Sequence, residues 1–365
     1  MDTEDSRLLE IKDVSVDYGV GGDAVHAVTE VSLNLHRGEI VGLAGESGSG
    51  KSTLAYAISR LLRPPAVVTA GKVLYYPPDS PRLSTRQDGP VDIFQLSNAE
   101  LQVLRWNDLA IVFQSAMNAL NPVMTVGAQI VDVLRTHQPF IKAAAQRDRA
   151  AELLRLVGIA PDRLNSYPHE LSGGMRQRAT IAIALALSPD IIIMDEPTTA
   201  LDVVVQREIL GEIMGLRDQF HFAVIFITHD LSLLMEVADR IAIMYAGRIV
   251  EQASHSELHQ NASHPYSYGL MHSFPRLHGP RQRGVGIPGS PPDLRSVPPG
   301  CAFHPRCPFA FEACKTTLPV LRPVTTGSHQ LVACHLYDPS FREAPPSREE
   351  LAAGYKTLVE GSGVL

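Results

Sequence analysis

The first 300 residues contain no cysteine, so neither a disulfide framework nor thiol chemistry belongs to that part of the chain. Nothing approaches the ~20 consecutive apolar residues of a membrane span. Apolar runs such as Ile191-Ile192-Ile193-Met194 have the length of strands. A basic excess is missing as well. The 32 Lys and Arg face 39 Asp and Glu, and the net charge of −7 argues against a nucleic-acid footprint over the whole chain. The opening residues, MDTEDSRLLE, are acidic where a secretory signal would be basic and then apolar. Internal repeats and heptad arrays are also lacking. These absences lead us to expect a soluble, cytosolic protein that meets a membrane only through partners. What is present excludes wholesale disorder: 45% apolar and 19% charged residues are enough to bury a core. A length of 365 residues suggests two domains, or one with an appendage.

Period-two alternation marks strands at Leu9/Ile11, Val14/Val16 and Val31/Leu33/Leu35. Glu39–Ala44 is a short apolar strand running into a glycine-rich turn. A helix follows, with Leu54, Ile58, Leu61 and Leu62 on one face and Pro64-Pro65 as its stop. Residues 77–92 are polar and turn-rich, which predicts a surface insertion. The stretch 115–188 reads as helical, with Gly158 as a C-cap and a long helix over Met175–Leu187. Strand character returns at 190–194, 223–227, 240–245 and 247–250. Strands separated by helices predict an α/β fold with a mostly parallel sheet covered on both faces.

Gly45-Glu46-Ser47-Gly48-Ser49-Gly50-Lys51-Ser52 fits G-x-x-x-x-G-K-[ST], followed by Thr53. Glycines let backbone N–H groups turn inward onto phosphate oxygens, and the helix that starts near Lys51 adds its positive end. Lys51 then reaches the β- and γ-phosphates, and Ser52 ligands Mg²⁺. A second acid is required for the metal. The strand Ile191–Met194 delivers Asp195 beside the loop, and Glu196 follows it as a candidate general base.

Leu171-Ser172-Gly173-Gly174-Met175-Arg176-Gln177-Arg178 is close to the signature motif of ABC transporter ATP-binding subunits, and the chain resembles that family over about residues 8–252. Gln114 matches the Q-loop, Ala200-Leu201-Asp202 the D-loop and His229 the switch histidine. Tyr18 stands where the family places an aromatic under adenine. The resemblance implies a RecA-like P-loop core with an antiparallel β subdomain and an inserted helical subdomain at about 115–188. It further implies that Ser172, Gly173, Gly174 and Asp202 of a second subunit close over the γ-phosphate. In that arrangement Gln114 senses Mg²⁺ and the attacking water, and His229 bonds the γ-phosphate. From the residues alone, Ser172 caps the helix that follows it.

Past residue 252 periodicity disappears, and residues 275–323 hold 11 of the 27 prolines. Such a segment builds no ordinary core and needs a staple. Cys301, Cys307, Cys314 and Cys334 lie in this region, and in a cytosolic chain they read as a metal site. Four thiolates suit an Fe–S cluster or zinc, and the C-x₂₋₄-C pairs of common zinc modules are absent. His264-Pro265-Tyr266, Ile287-Pro288-Gly289-Ser290-Pro291-Pro292 and the cysteine pattern resemble the C-terminal extension of oligopeptide/dipeptide transporter ATPases, a branch shared with nickel importers. That resemblance implies a [4Fe–4S] cluster, with zinc as the alternative. The domains expected are a nucleotide-binding core at 1–252, a linker or helical extension at 253–286, a small cysteine-bearing C-terminal domain at 287–340, and a tail at 341–365.

The function implied is ATP- and Mg²⁺-dependent uptake of di- or oligopeptides at the cytoplasmic face of a prokaryotic plasma membrane. The implied partners are a second, similar ATPase, two transmembrane permeases and an external peptide-binding protein, without nucleic acid. Import rests on residues 253–338 alone. Three alternatives stay open at this point: another cargo such as nickel or a glycoside, a soluble ATPase acting on nucleic acid or ribosomes, and a redox-sensing regulator.

Overall fold

The computed structural model describes residues 6–77, 89–114, 119–199, 201–273 and 286–361. Most of the expected insertion, residues 78–88, and Ala200 of the D-loop lie outside the described residues. The N-terminal part is an antiparallel sheet. Its strands are β1 (Arg7–Tyr18) and β2 (Val25–His36), with β4 (Ala66–Tyr75) and β5 (Val91–Asp92), in the order β2-β1-β4-β5. Sequence reading missed β4. Gly71, at φ +92°, interrupts its alternation, and a Cβ there would strike the backbone of Asp13 and Val14 on β1.

A second sheet carries the chemistry. Strands β3 (Ile40–Ala44), β6 (Leu109–Val112), β7 (Ile191–Asp195), β8 (Ala223–Ile227) and β9 (Arg240–Tyr245) run parallel in the order β6-β7-β8-β3-β9. Every residue of β3, β7 and β8 is buried, as befits strands covered on both faces. Their side chains sort by parity. Val41, Leu43, Ile191, Ile193, Ile225 and Ile227 join the core beneath the antiparallel sheet and helix α1 (Lys51–Ile58). Ile40, Ile192, Met194, Val224 and Phe226 face the opposite core. That side is covered by α3 (Val126–His137), α4 (Ala143–Leu156), α5 (Gly173–Ala184), α6 (Val203–Phe220) and α7 (Leu231–Val237), while α2 (Asn98–Asn107) precedes β6. Gly158, just past α4, takes φ +68°, as a C-cap glycine does.

The C-terminal segment docks on this core. Strand β10 (Arg248–Ser254) continues the sheet antiparallel to β9. After α8 (His255–Gln260), α9 (Pro265–His272) and α10 (Glu312–Thr316), the short strands β11 (Arg322–Pro323) and β12 (Leu331–Val332) extend the same sheet beyond β10. Phe303 and, on α11 (Arg348–Gly361), Leu351 and Tyr355 belong to the main core cluster. Glu251 on β10 is fully buried. Its carboxylate accepts from the Ser263 and His264 backbone N–H groups at 2.8 Å each and from Gln330 Nε2 at 2.7 Å. The tail builds one small cluster of its own, Val332, Cys334, Leu336 and Tyr337 with Phe309, Phe311 and Val324 against it, and otherwise packs on the main core.

Candidate active site

The turn after β3 opens into α1 at the carboxyl edge of the parallel sheet, where open α/β folds place their ligands. Gly45 and Gly50 have φ of +147° and +101°. A Cβ on either would collide with a backbone carbonyl, of Met244 or of Ala27. The loop is therefore locked against neighbouring backbone and admits only glycine there. Lys51 is buried and donates from Nζ to the Gly45 carbonyl (2.8 Å), the Glu46 carbonyl (2.9 Å) and Ser49 Oγ (3.2 Å). Burial lowers its pKa, with Glu196, Asp195 and Glu46 opposing.

Asp195 ends β7 one strand away from β3, with no exposed surface. Ser52 Oγ donates to its Oδ1 at 3.0 Å, whereas its buried Oδ2 has no partner in hydrogen-bond geometry. Burial raises the Asp195 pKa and Glu196 adds to the rise, while the Ser52 and Tyr56 hydroxyls and Lys51 work against it. A hydroxyl and an orphaned carboxylate oxygen form a hard oxygen donor set that suits Mg²⁺.

Glu196 gathers three partners. Its Oε2 accepts from Gln114 Nε2 at 3.0 Å and from Thr199 Oγ1 at 2.9 Å, and its Oε1 lies 3.1 Å from His229 Nδ1. Burial works to raise the Glu196 pKa. The hydrogen bonds of His229 and Thr199 and the positive charge around it outweigh burial and hold it below the usual value. Three residues far apart in sequence, Gln114, Glu196 and His229, thus meet beside the Lys51–Ser52–Asp195 group. Sequence reading assigned His229 to a phosphate and Gln114 to metal and water; here both contact the carboxylate of Glu196.

The remaining candidates are more dispersed. The Tyr18 hydroxyl lies 3.3 Å from Thr53 Oγ1, at the rim of the loop. Ser172 caps α5 by accepting from the Met175 N–H at 3.3 Å, and Asp202 caps α6 by accepting from Val204 and Val205 at 3.1 and 3.0 Å. Ser172, Gly173, Gly174, Arg178 and Asp202 line one open cleft of about 410 Å³. Among the described residues no hydrogen bond joins Ser172–Gly174 to the phosphate loop of the same chain.

No disulfide joins the four cysteines. Cys314 and Cys334 are buried, and Cys301 and Cys307 partly so. The Cys301 N–H donates to the Cys314 carbonyl at 2.8 Å. Burial, helped by neighbouring cysteines, pushes the Cys301 thiol up to about 11 and Cys307 up to about 12. Cys334 is raised by burial and by all three others. The backbone bond sets Cys301 beside Cys314. Among the described residues, however, no group of three or more His, Cys, Asp or Glu side chains closes on a single metal ion. The geometry of the described residues thus lends no support to the expected [4Fe–4S] or zinc centre.

Sequence reading missed Arg306 and the role of Tyr266, both of which touch Glu46 of the phosphate loop. His264-Pro265-Tyr266 had been singled out, but nothing local says what it reaches.

Strand, glycine loop, helix and paired acids at a strand end are the architecture of a P-loop nucleoside-triphosphatase. Residues 28–199 match the family described as ABC transporter, and residues 250–314 match the oligopeptide/dipeptide transporter C-terminal region. An oligopeptide transport ATP-binding protein of Mycobacterium tuberculosis is 45% identical over 324 residues, which are 88% of this chain and 51% of that protein. The chain thus spans about half the length of this relative. The oligopeptide transport ATP-binding protein of Bacillus subtilis is 43% identical over 311 residues, 84% of this chain and 83% of that one. A solved dimer of the ATP-binding cassette MJ0796, in a post-hydrolysis state bound to ADP and Pi, is 29% identical with a TM-score of 0.57. It covers 68% of this chain and 98% of its own. The chain belongs to the ATP-binding proteins of ABC transporters, in the oligopeptide/dipeptide branch.

Proposed function

We propose that this chain is the ATP-hydrolysing subunit of an ABC importer that energises uptake of di- or oligopeptides. The observation that carries the reading is Glu196 held by Gln114 and His229 beside Lys51, Ser52 and Asp195. The triphosphate lies on the N–H groups of residues 45–53 and the N-terminus of α1. Lys51 exchanges its carbonyl partners for β- and γ-phosphate oxygens. Ser52, Asp195 and Gln114 would hold Mg²⁺, which when bound neutralises phosphate charge. Glu196 takes the proton of the attacking water at its carboxylate as the water oxygen bonds to the γ-phosphorus and the β–γ bridge breaks. His229 and Gln114 fix the orientation of that carboxylate. Tyr18 stacks on adenine.

Ser172, Gly173, Gly174 and Asp202 serve the site of a second, homologous subunit. Their separation from this chain's own loop and their shared open cleft support that arrangement. Differential affinity for the closed pair then converts ATP binding into motion. The partners are two membrane permeases and an external peptide-binding protein, and the chain works at the cytoplasmic face of a prokaryotic plasma membrane. The domain division proposed is 1–252, 253–286, 287–340 and 341–365.

Cys301, Cys307, Cys314 and Cys334 would hold a [4Fe–4S] cluster as a structural staple. Four cysteines within residues 301–334 supply the thiolates that such a cluster requires. Zinc, which four thiolates also suit, is the alternative occupant.

Glu196→Gln tests the assignment. Turnover falls by roughly 10²–10⁴-fold, and ATP is retained in a dimer seen by size-exclusion chromatography. Undiminished hydrolysis would remove Glu196 as base.

A further inference from the structure

Glu46 places a carboxylate on the loop proposed to receive a triphosphate, and like charges in a half-buried site repel. The group that answers it comes from the other end of the chain. Arg306 grips Glu46 with a two-pronged fork, Nη1 to Oε2 at 2.7 Å and Nη2 to Oε1 at 3.0 Å. Its side chain is 6% exposed. The guanidinium is held on every side: Nε donates to the Pro288 carbonyl (2.8 Å), Nη2 to the Gly289 carbonyl (3.3 Å) and Nη1 to the Tyr245 hydroxyl (3.3 Å). Its central carbon lies 5.8 Å from the Tyr245 ring centre and 5.9 Å from that of Phe303.

A second contact comes from α9. The Glu46 backbone N–H donates to the hydroxyl of fully buried Tyr266 at 2.8 Å, and the Glu46 carbonyl accepts from Lys51. Side chain, N–H and carbonyl of one loop residue are thus all held, two of the three by the C-terminal segment.

We propose that Arg306 is a positioning residue for nucleotide binding, acting through Glu46. It neutralises a carboxylate that would repel the phosphates and fixes the first turn of the loop. The inference rests on the ATP-site reading above and deepens it, since it makes ATP affinity depend on the order of segment 288–307. A rigid, buried, bidentate arginine suits this role better than lysine, whose ammonium lacks the fork.

The test uses the full chain with intact cysteines, titrated calorimetrically with the Mg²⁺ complex of a non-hydrolysable ATP analogue, alongside KM and kcat for ATP. Arg306→Gln should weaken binding about ten-fold or more and raise KM similarly, with kcat at saturation changed by less than about two-fold. Arg306→Lys should fall between. Glu46→Gln combined with Arg306→Gln should recover most of the lost affinity, because no charge remains to be cancelled. The proposal is overturned if Arg306→Gln binds as tightly as the parent chain. It is equally overturned if Glu46→Gln recovers nothing, since the arginine then only holds the tail in place. A parent chain that binds no analogue removes the ATP-site reading, and this inference with it, before any variant is compared.

Discussion

Glu196 adopts φ +46°, a left-handed conformation that costs a non-glycine residue on the order of 1–3 kcal/mol. Its N–H donates to the Ile227 carbonyl at 2.9 Å, so the sheet itself holds the residue there. The strain aims the carboxylate at His229 and Gln114. As the proposed base, Glu196 acts in its ionised form, and its pKa lies below the usual value, so activity should fail only as pH drops beneath the ordinary carboxylate range. Burial pulls that pKa up and His229 pulls it down. In His229→Ala the acid limb of the kcat/KM–pH profile should therefore move to higher pH; an unmoved limb, or one moved lower, contradicts the coupling. Lys51, Ser52 and Asp195 were legible in the sequence because each is tied to a short motif of fixed spacing. The Glu46–Arg306 pair was not, because 260 residues separate its members and neither half looks unusual alone.

At the level of elements, β3, β7 and β8 show how far pattern goes. Their all-apolar runs predicted buried strands, and the structure has them. Which residue faces which core follows from period two once the register is known. Helix α5 begins at Gly173 with Ser172 as its cap, as the residues predict, and ends at Ala184 rather than at the expected Leu187. Helix α9 is capped by His264, whose Nδ1 accepts from the Tyr266 N–H at 3.0 Å. Only a neutral imidazole does this, and burial depresses its pKa to about 3. An unfolded histidine titrates near 6.5. Below that pH the unfolded chain takes up a proton that the folded chain refuses. Stability contributed by His264 should therefore be complete at neutral pH and decline by up to about 1.4 kcal/mol per pH unit on acidification from about 6.5 toward 3. Urea melts at pH 7 and pH 5 measure this loss. His264→Asn, which caps without titrating, should flatten the difference; an equal slope in both proteins would assign the acid sensitivity elsewhere.

Over the whole molecule, the fastenings of the C-terminal segment include β12 on β10, Glu251 to residues 263, 264 and 330, Arg306 and Tyr266 to Glu46, and Tyr355 Oη to the Pro265 carbonyl at 2.6 Å. Among the described residues no helix is long and apolar enough to cross a membrane. The cysteine segment, residues 301–334, itself contains Gln330 and β12. Protein purified without oxygen should be brown with about four irons per chain, and Cys334→Ser should lose that iron. A colourless chain carrying one zinc would reject the cluster.

Sequence alone determined what short spacing encodes: the glycine loop, the acids at the end of a buried strand and the capped signature helix. Each depends on neighbours within a few residues, whose backbone geometry dictates residue type. The tertiary structure decided what long-range closure brings together. It placed Gln114 and His229 on one carboxylate, strung the tail onto the main sheet and set Arg306 against Glu46. These contacts join strands and loops whose partners are chosen by sheet order and packing, and no local pattern in the chain records that choice.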